Sequence, residues 1–156
     1  MKIKGLIALF LMSLFCAPLY AGVDYFYLKK SDGEKVKITL KALEAMPSSS
    51  IKTSTNFTPE AVFTGVEFSV LAKEYGLTGS KVRAFAWDDY SYSMPVAELA
   101  KYKAIIAYKK NGELMDVAQL GPFAIIYPRD SHPELNNIDV NAKTVWQIKM
   151  LNRCAE

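Results

Sequence analysis

Turn-forming pairs and helix stops recur along this chain so closely that no long element fits between them. Asp32-Gly33 and Asn111-Gly112 favour the positive backbone angles of tight hairpin turns, and Asp88-Asp89 turns a third pair of segments. Pro47, Gly76 and Pro128 each end the segment before them, by a missing N–H or by a left-handed cap. What remains are short pieces. Val23 to Leu28 and Lys35 to Thr39 read as an opening hairpin, and Thr39 can cap a short helix through Leu40, Leu43 and Ala45. Ser50 to Phe57 is polar and β-branched, which predicts an extended segment or a site-lining loop. Phe68, Leu71, Ala72 and Tyr75 repeat at the spacing of one helix face.

Lys81 to Trp87 alternates as a strand, Tyr90 to Met94 returns, and Pro95 suits the first turn of a short helix carrying Val96, Leu99 and Ala100. Strands are expected at Ala104 to Lys109, Leu114 to Val117, Phe123 to Tyr127 and Thr144 to Leu151. Many short strands and about three short helices, never in regular βαβ alternation, predict an α+β domain.

The first residues have the pattern of a secretory leader: Lys2 and Lys4, an apolar run from Gly5 to Phe15, and Leu19-Tyr20-Ala21 as a cleavage site. The run is too short to cross a bilayer of about 30 Å, so a cleaved signal peptide (1–21) and a periplasmic protein are expected. Cys16 follows bulky Phe15 and leaves with the leader, so Cys154 is the one cysteine of the mature chain and no intramolecular disulfide is possible. Residues 22–156 suffice for one core and are too few for two ordinary domains. The formal net charge of +3 falls to near +1 without Lys2 and Lys4, which gives no reason to expect nucleic acid as a partner.

Five stretches together resemble the molybdopterin-binding oxidoreductase domain of sulfite-oxidase-like proteins. They are Leu43-Glu44-Ala45-Met46-Pro47, Phe63-Thr64-Gly65-Val66, Asp88-Asp89-Tyr90-Ser91 leading to Met94-Pro95, Asn111-Gly112-Glu113-Leu114-Met115, and Gly121-Pro122 leading to Ile126-Tyr127-Pro128. The closing Thr144-Val145-Trp146-Gln147-Ile148 resembles the last strand of a small exported branch of that family. The resemblance implies a sulfite-oxidase-like fold and a cleft for a pterin phosphate, with molybdenum held by one cysteine thiolate and the phosphate met by arginine and lysine. Soft thiolate suits the metal and cationic side chains suit the anion.

This chain departs from the family on all three chemical positions. Thr53-Ser54-Thr55-Asn56-Phe57 stands where the cysteine is expected, Ala124 where the arginine is, and Val145 where the lysine is. No molybdenum is therefore expected, and a fold that has lost its redox reaction fits the pattern. The resemblance together with the residue types gives a candidate cofactor-binding set of Thr53, Ser54, Asn56, Trp87, Asp89, Tyr90 and Arg129.

Trp87, Tyr90 and Tyr92 can stack on a flat heterocycle, although at strand spacing they serve equally as core. Arg129 is the remaining cation for an anionic group. Asp88 and Asp89 read as a solvated turn, and His132 beside Asp130 lacks further metal ligands. Three functions stay open: a non-catalytic periplasmic domain binding a pterin-like or molybdopterin-related ligand and reporting to a membrane sensor protein; a molybdenum-cofactor oxidoreductase subunit; and an interaction module without a small ligand.

Overall fold

The computed structural model describes residues 22–154. The leader at 1–21 and its cleavage point lie outside the described residues. Two five-stranded sheets carry the architecture. In the first, β1 (Tyr25–Lys29) pairs antiparallel with β2 (Lys35–Thr39) across the Asp32-Gly33 turn. Gly33 takes φ +87° there. The order is β2-β1-β10-β5-β6, and β1 and β10 (Ile148–Arg153) run parallel, so the two ends of the described chain lie side by side. β5 (Lys81–Ala86) and β6 (Ser91–Pro95) form the far hairpin, where Asp89 at φ 67° makes the turn.

The second sheet joins β3 (Ser49–Thr53), β4 (Ala61–Glu67) and β7 (Ile105–Lys110), with β8 (Glu113–Leu114) and β9 (Ala124–Ile126) both pairing with β7. It is covered on both faces, which is why Ile105, Ile106, Ala107 and Tyr108 are all buried in succession rather than alternating. One face meets the first sheet through Val66, Ile106 and Ile125 against Phe26, Leu28 and Leu151; the ring of Phe123 lies edge-on to Phe26 at 5.2 Å. The other face packs Ile51, Phe63, Met115, Ala124 and Ile126 beneath the partly buried Leu120 and Trp146. Burying one such side chain fully contributes about 1.5–3 kcal/mol, so these two clusters are the main favourable term holding the two sheets together.

The helices are short: α1 (Leu40–Glu44), α2 (Phe68–Glu74), α3 (Val96–Lys101) and α4 (Ile138–Lys143). Thr39 caps α1 by accepting from the Ala42 amide, and Gly76 follows α2 at φ +64°, as their sequences predict. Among the described residues no helix is long and apolar enough to cross a membrane.

The α+β expectation holds, with four α-helices among the described residues in place of about three. Two departures from the predicted strand bounds have a visible cause. Val117 leaves the ladder because Asp116 accepts from the Gln119 amide and winds residues 117–119 into a single 3-10 turn. The last strand begins at Ile148, not Thr144, because Gln147 adopts φ 49° and cannot sit in a ladder.

Candidate ligand-binding site

The residues implied by the family positions fall into separate neighbourhoods. Thr53, at the end of β3, is buried; its hydroxyl donates to the Ser54 carbonyl at 3.1 Å and accepts from the Asp130 amide at 3.1 Å. Ser54 donates its amide and its hydroxyl to the two carboxylate oxygens of Asp130 at 2.6 and 2.7 Å. The Ser54 hydroxyl and then its amide hold the Asp130 carboxyl below the usual range. These groups stitch β3 to the turn at residues 129–131. Arg129 in the same turn donates from both sides of its guanidinium to Asn136 Oδ1, at 2.7 and 3.1 Å, and to Asn141 Oδ1 at 3.0 Å. Asn56 is exposed in the loop that Thr55 closes by accepting from the Phe57 and Thr58 amides.

Tyr90 reaches elsewhere. It is 41% exposed, and its hydroxyl donates to the Ala142 carbonyl at 2.8 Å, which fastens the β5–β6 turn to α4. Tyr92 donates to Asp139 at 2.9 Å. Asp89 is exposed in its turn. His132 approaches Glu134 at 3.5 Å and lies edge-on to Tyr102, and among the described residues no group of three His, Cys, Asp or Glu side chains is placed to hold a metal.

Trp87 stands at a cavity. It is 40% exposed just beyond β5, and its amide donates to the Gln147 carbonyl at 3.0 Å. A cavity of about 840 Å³ opens beside it, a size that suits a small organic ligand. Leu40, Tyr108 and Pro122 contribute apolar wall, and Leu114 and Val117 leave 52% and 66% of their surface open at its margin. Exposed apolar side chains gathered round a cavity are the informative kind of surface hydrophobicity. Its charged and amide lining is Asp24, Asp116 and Gln147, with no lysine or arginine among the described residues. Lys149 is the cation nearest this ring, its ammonium 5.4 Å from the Trp87 centroid.

Gln147 is held in its left-handed conformation from three directions. Its amide donates to the Leu120 carbonyl at 3.1 Å, its Nε2 to the Val117 carbonyl at 3.1 Å, and its carbonyl accepts from Trp87. A non-glycine residue kept at φ 49° beside a cavity marks a place where the surroundings over-determine the backbone. The turn at Gln147 also sends Trp146 the other way, onto the Phe57 ring at 4.0 Å.

Of the residues implied by the family positions, only Trp87 lines this cavity. Asp24, Tyr108, Asp116, Pro122 and Gln147 were not singled out as ligand contacts by the sequence. The stretches through Asn111-Gly112, Gly121-Pro122 and Trp146-Gln147 did bracket Tyr108, Asp116, Pro122 and Gln147, because each is a turn that brings chain to the same rim, whereas nothing marked Asp24.

The positions that would hold a metal and a phosphate do not fit those groups. Ala124 and Val145 are fully buried apolar side chains, the Thr53 and Ser54 hydroxyls are committed to the 129–131 turn, and Cys154 lies near Ser93 at 3.8 Å.

No protein-family profile matches the chain, and no curated protein does. Among solved structures, the fold is similar to that of the sulfane dehydrogenase SoxCD from Paracoccus pantotrophus, with a TM-score of 0.60 and 16% identity over 82% of this chain. The chain spans 37% of that larger chain. The two share an arrangement of mixed sheets with few helices.

Proposed function

We propose that this protein is a non-catalytic, exported binding domain that takes a flat, pterin-like heterocycle and reports its presence to a membrane sensor protein. The observation that carries the proposal is the cavity itself, in which an indole, a phenol and aliphatic walls surround three polar side chains that accept hydrogen bonds. A pterin ring offers two broad faces and an edge of adjacent N–H donors. Trp87 supplies a surface for stacking, while Asp24, Asp116 and Gln147 supply acceptors for such an edge. The finer resemblance to the sulfite-oxidase-like family supplies the ligand class, and the fold shared with a dehydrogenase is compatible with it. Redox chemistry has no support from the side chains, since no thiolate stands at the family position.

The ligand in this reading lacks a phosphate. Among the described residues two carboxylates and no lysine or arginine line the cavity, and the Gly22 ammonium left by cleavage after Ala21 is outnumbered by Asp24 and Asp116, so a phosphate brought there would meet net repulsion. Arg129 serves the fold through its two asparagines, so Arg129→Ala is expected to alter stability and leave ligand preference alone.

The test is binding of an unphosphorylated pterin followed by tryptophan fluorescence and by melting temperature. Trp87→Leu should weaken binding about three- to tenfold, the equivalent of about 0.5–1.5 kcal/mol of stacking, with little loss of stability because the ring is 40% exposed. Absence of any melting shift at millimolar pterin would overturn the reading.

A further inference from the structure

The outward face of the first sheet points to a second, unrelated surface. Strand register decides which side chains share it. Tyr27 pairs with Lys37 on one side and Met150 on the other, and Met150 with Phe85; Lys29 pairs with Lys35 and Asn152, and Asn152 with Arg83. Ser91 and Ser93 complete these rows opposite Phe85 and Arg83, and Lys81 lies one step further along β5. The inward partners, among them Phe26, Leu28, Val82 and Ala84, are buried, whereas Lys29, Lys35, Lys37, Lys81 and Arg83 are all exposed. No aspartate or glutamate occupies an outward position in any of the five strands. A chain with nearly balanced charge has thus gathered cations of one sign on one sheet face.

We infer that this face docks on the surface of a bilayer containing anionic phospholipid. The cations are spread too widely for one small anion: β2 and β5 are three strand spacings apart, about 14 Å at the usual separation. A plane of headgroups matches a lattice of that width. The aromatic side chains distinguish this partner from a nucleic acid. Lys35 lies 4.0 Å over the Tyr27 ring, Lys37 lies 4.0 Å over Tyr25, and the two rings pack edge to face at 5.4 Å. Each ring already holds an ammonium over one face, whereas binding a single strand requires open rings for base stacking. Tyrosine with lysine on a flat surface suits the headgroup region, where the ring sits at the interface and the ammonium reaches the phosphate.

A groove of about 570 Å³ at the β5–β6 edge adds a seat for one headgroup phosphate, beside Lys81, Arg83 and Ser93. Asp139 at its lip is already paired with Lys143. None of these residues lines the Trp87 cavity, so the docked domain keeps that cavity available.

Co-sedimentation of the purified full chain with vesicles tests the inference. Phosphatidylcholine vesicles are compared with phosphatidylcholine–phosphatidylglycerol vesicles, and the parent with charge variants on each, because the leader, whose Lys2 and Lys4 themselves favour anionic lipid, is common to parent and variants. At low salt the anionic vesicles should bind at least about a hundredfold better, and molar salt should abolish the difference. Combining Lys29→Gln, Lys35→Gln and Arg83→Gln should reduce anionic binding by about a hundredfold, at roughly fivefold per charge. A matched variant with Lys41→Gln, Lys73→Gln and Lys101→Gln, all on helices, should bind nearly as the parent does. Equal binding to both vesicle types, equal loss in both variants, or capture by DNA or polyglutamate without vesicle binding would each overturn the inference.

Discussion

Lys143 is the charged side chain most thoroughly withdrawn from water among the described residues, and what surrounds it explains how α4 is anchored. Only 7% of its side chain is exposed; it donates to both Glu98 carboxylate oxygens at 2.9 and 3.0 Å and pairs with Asp139. Tyr127 donates its hydroxyl to the same Glu98 at 3.1 Å. Burial pulls the Lys143 ammonium down, but the bonds to Asp139 and Glu98 outweigh it and the net shift is upward. The Tyr127 phenol is pushed up, by burial first and by Glu98 second. The Asp139 carboxyl is held down, chiefly by Lys143. A raised lysine contributes stability below its unfolded value and loses it as pH rises through the folded one. A lowered aspartate contributes above its unfolded value and loses it as pH falls through the folded one. Stability should therefore hold through neutral pH and decline below about pH 4 as Asp139 takes up a proton. Lys143→Met should cost about 2–3 kcal/mol by stranding Glu98, less than a wholly buried pair because Glu98 keeps some water. It should also flatten the acid decline, since Asp139 without Lys143 titrates closer to its unfolded value and takes up its proton more nearly alike in both states. Urea denaturation of parent and variant across pH checks both outcomes.

At the scale of elements, β4 is the strand on which the second sheet depends, because it pairs with β3 on one side and β7 on the other. Its register with β7 shifts between Thr64 and Gly65, and Gly65 sits where a side chain would collide with the Ile106 carbonyl and the Ala107 backbone. Glycine is required there for close approach, not for an unusual backbone angle. Gly65→Ala should lower the unfolding free energy by about 2 kcal/mol or more, since backbone on the far side cannot give way. A thermal melt well below that of the parent is the expected outcome; an unchanged melt would mean that β4 and β7 separate freely. α4 shows why some elements escaped sequence reading. Its inward positions are Val140 and Lys143, so the lysine interrupts the apolar periodicity that would have announced a helix. The cap was legible in principle, because Asn137 accepts from the Val140 amide three residues on.

The whole molecule combines a fold shared with a sulfur-compound dehydrogenase and a chain that brings no thiolate to the position where its family resemblance expects one. Protein purified under gentle conditions should therefore contain far less than one molybdenum per chain and show no sulfite oxidation or sulfoxide reduction. Elemental analysis giving stoichiometric molybdenum would reverse the non-catalytic reading. Local features were legible from neighbouring residues: the hairpins at Asp32-Gly33 and Asn111-Gly112, the cap at Thr39, the stop at Gly76 and the α+β class. Each depends on a few neighbouring residues with fixed conformational preferences. The cavity, by contrast, arises from packing between remote parts of the chain. Asp24, Trp87, Asp116 and Gln147 come from four distant segments, and Gln147 faces the cavity because bonds from Leu120, Val117 and Trp87 hold it at a backbone angle its own type does not favour. Likewise, a near-neutral composition hid the cationic sheet face, which exists because strand register stacks outward lysines from separate hairpins side by side.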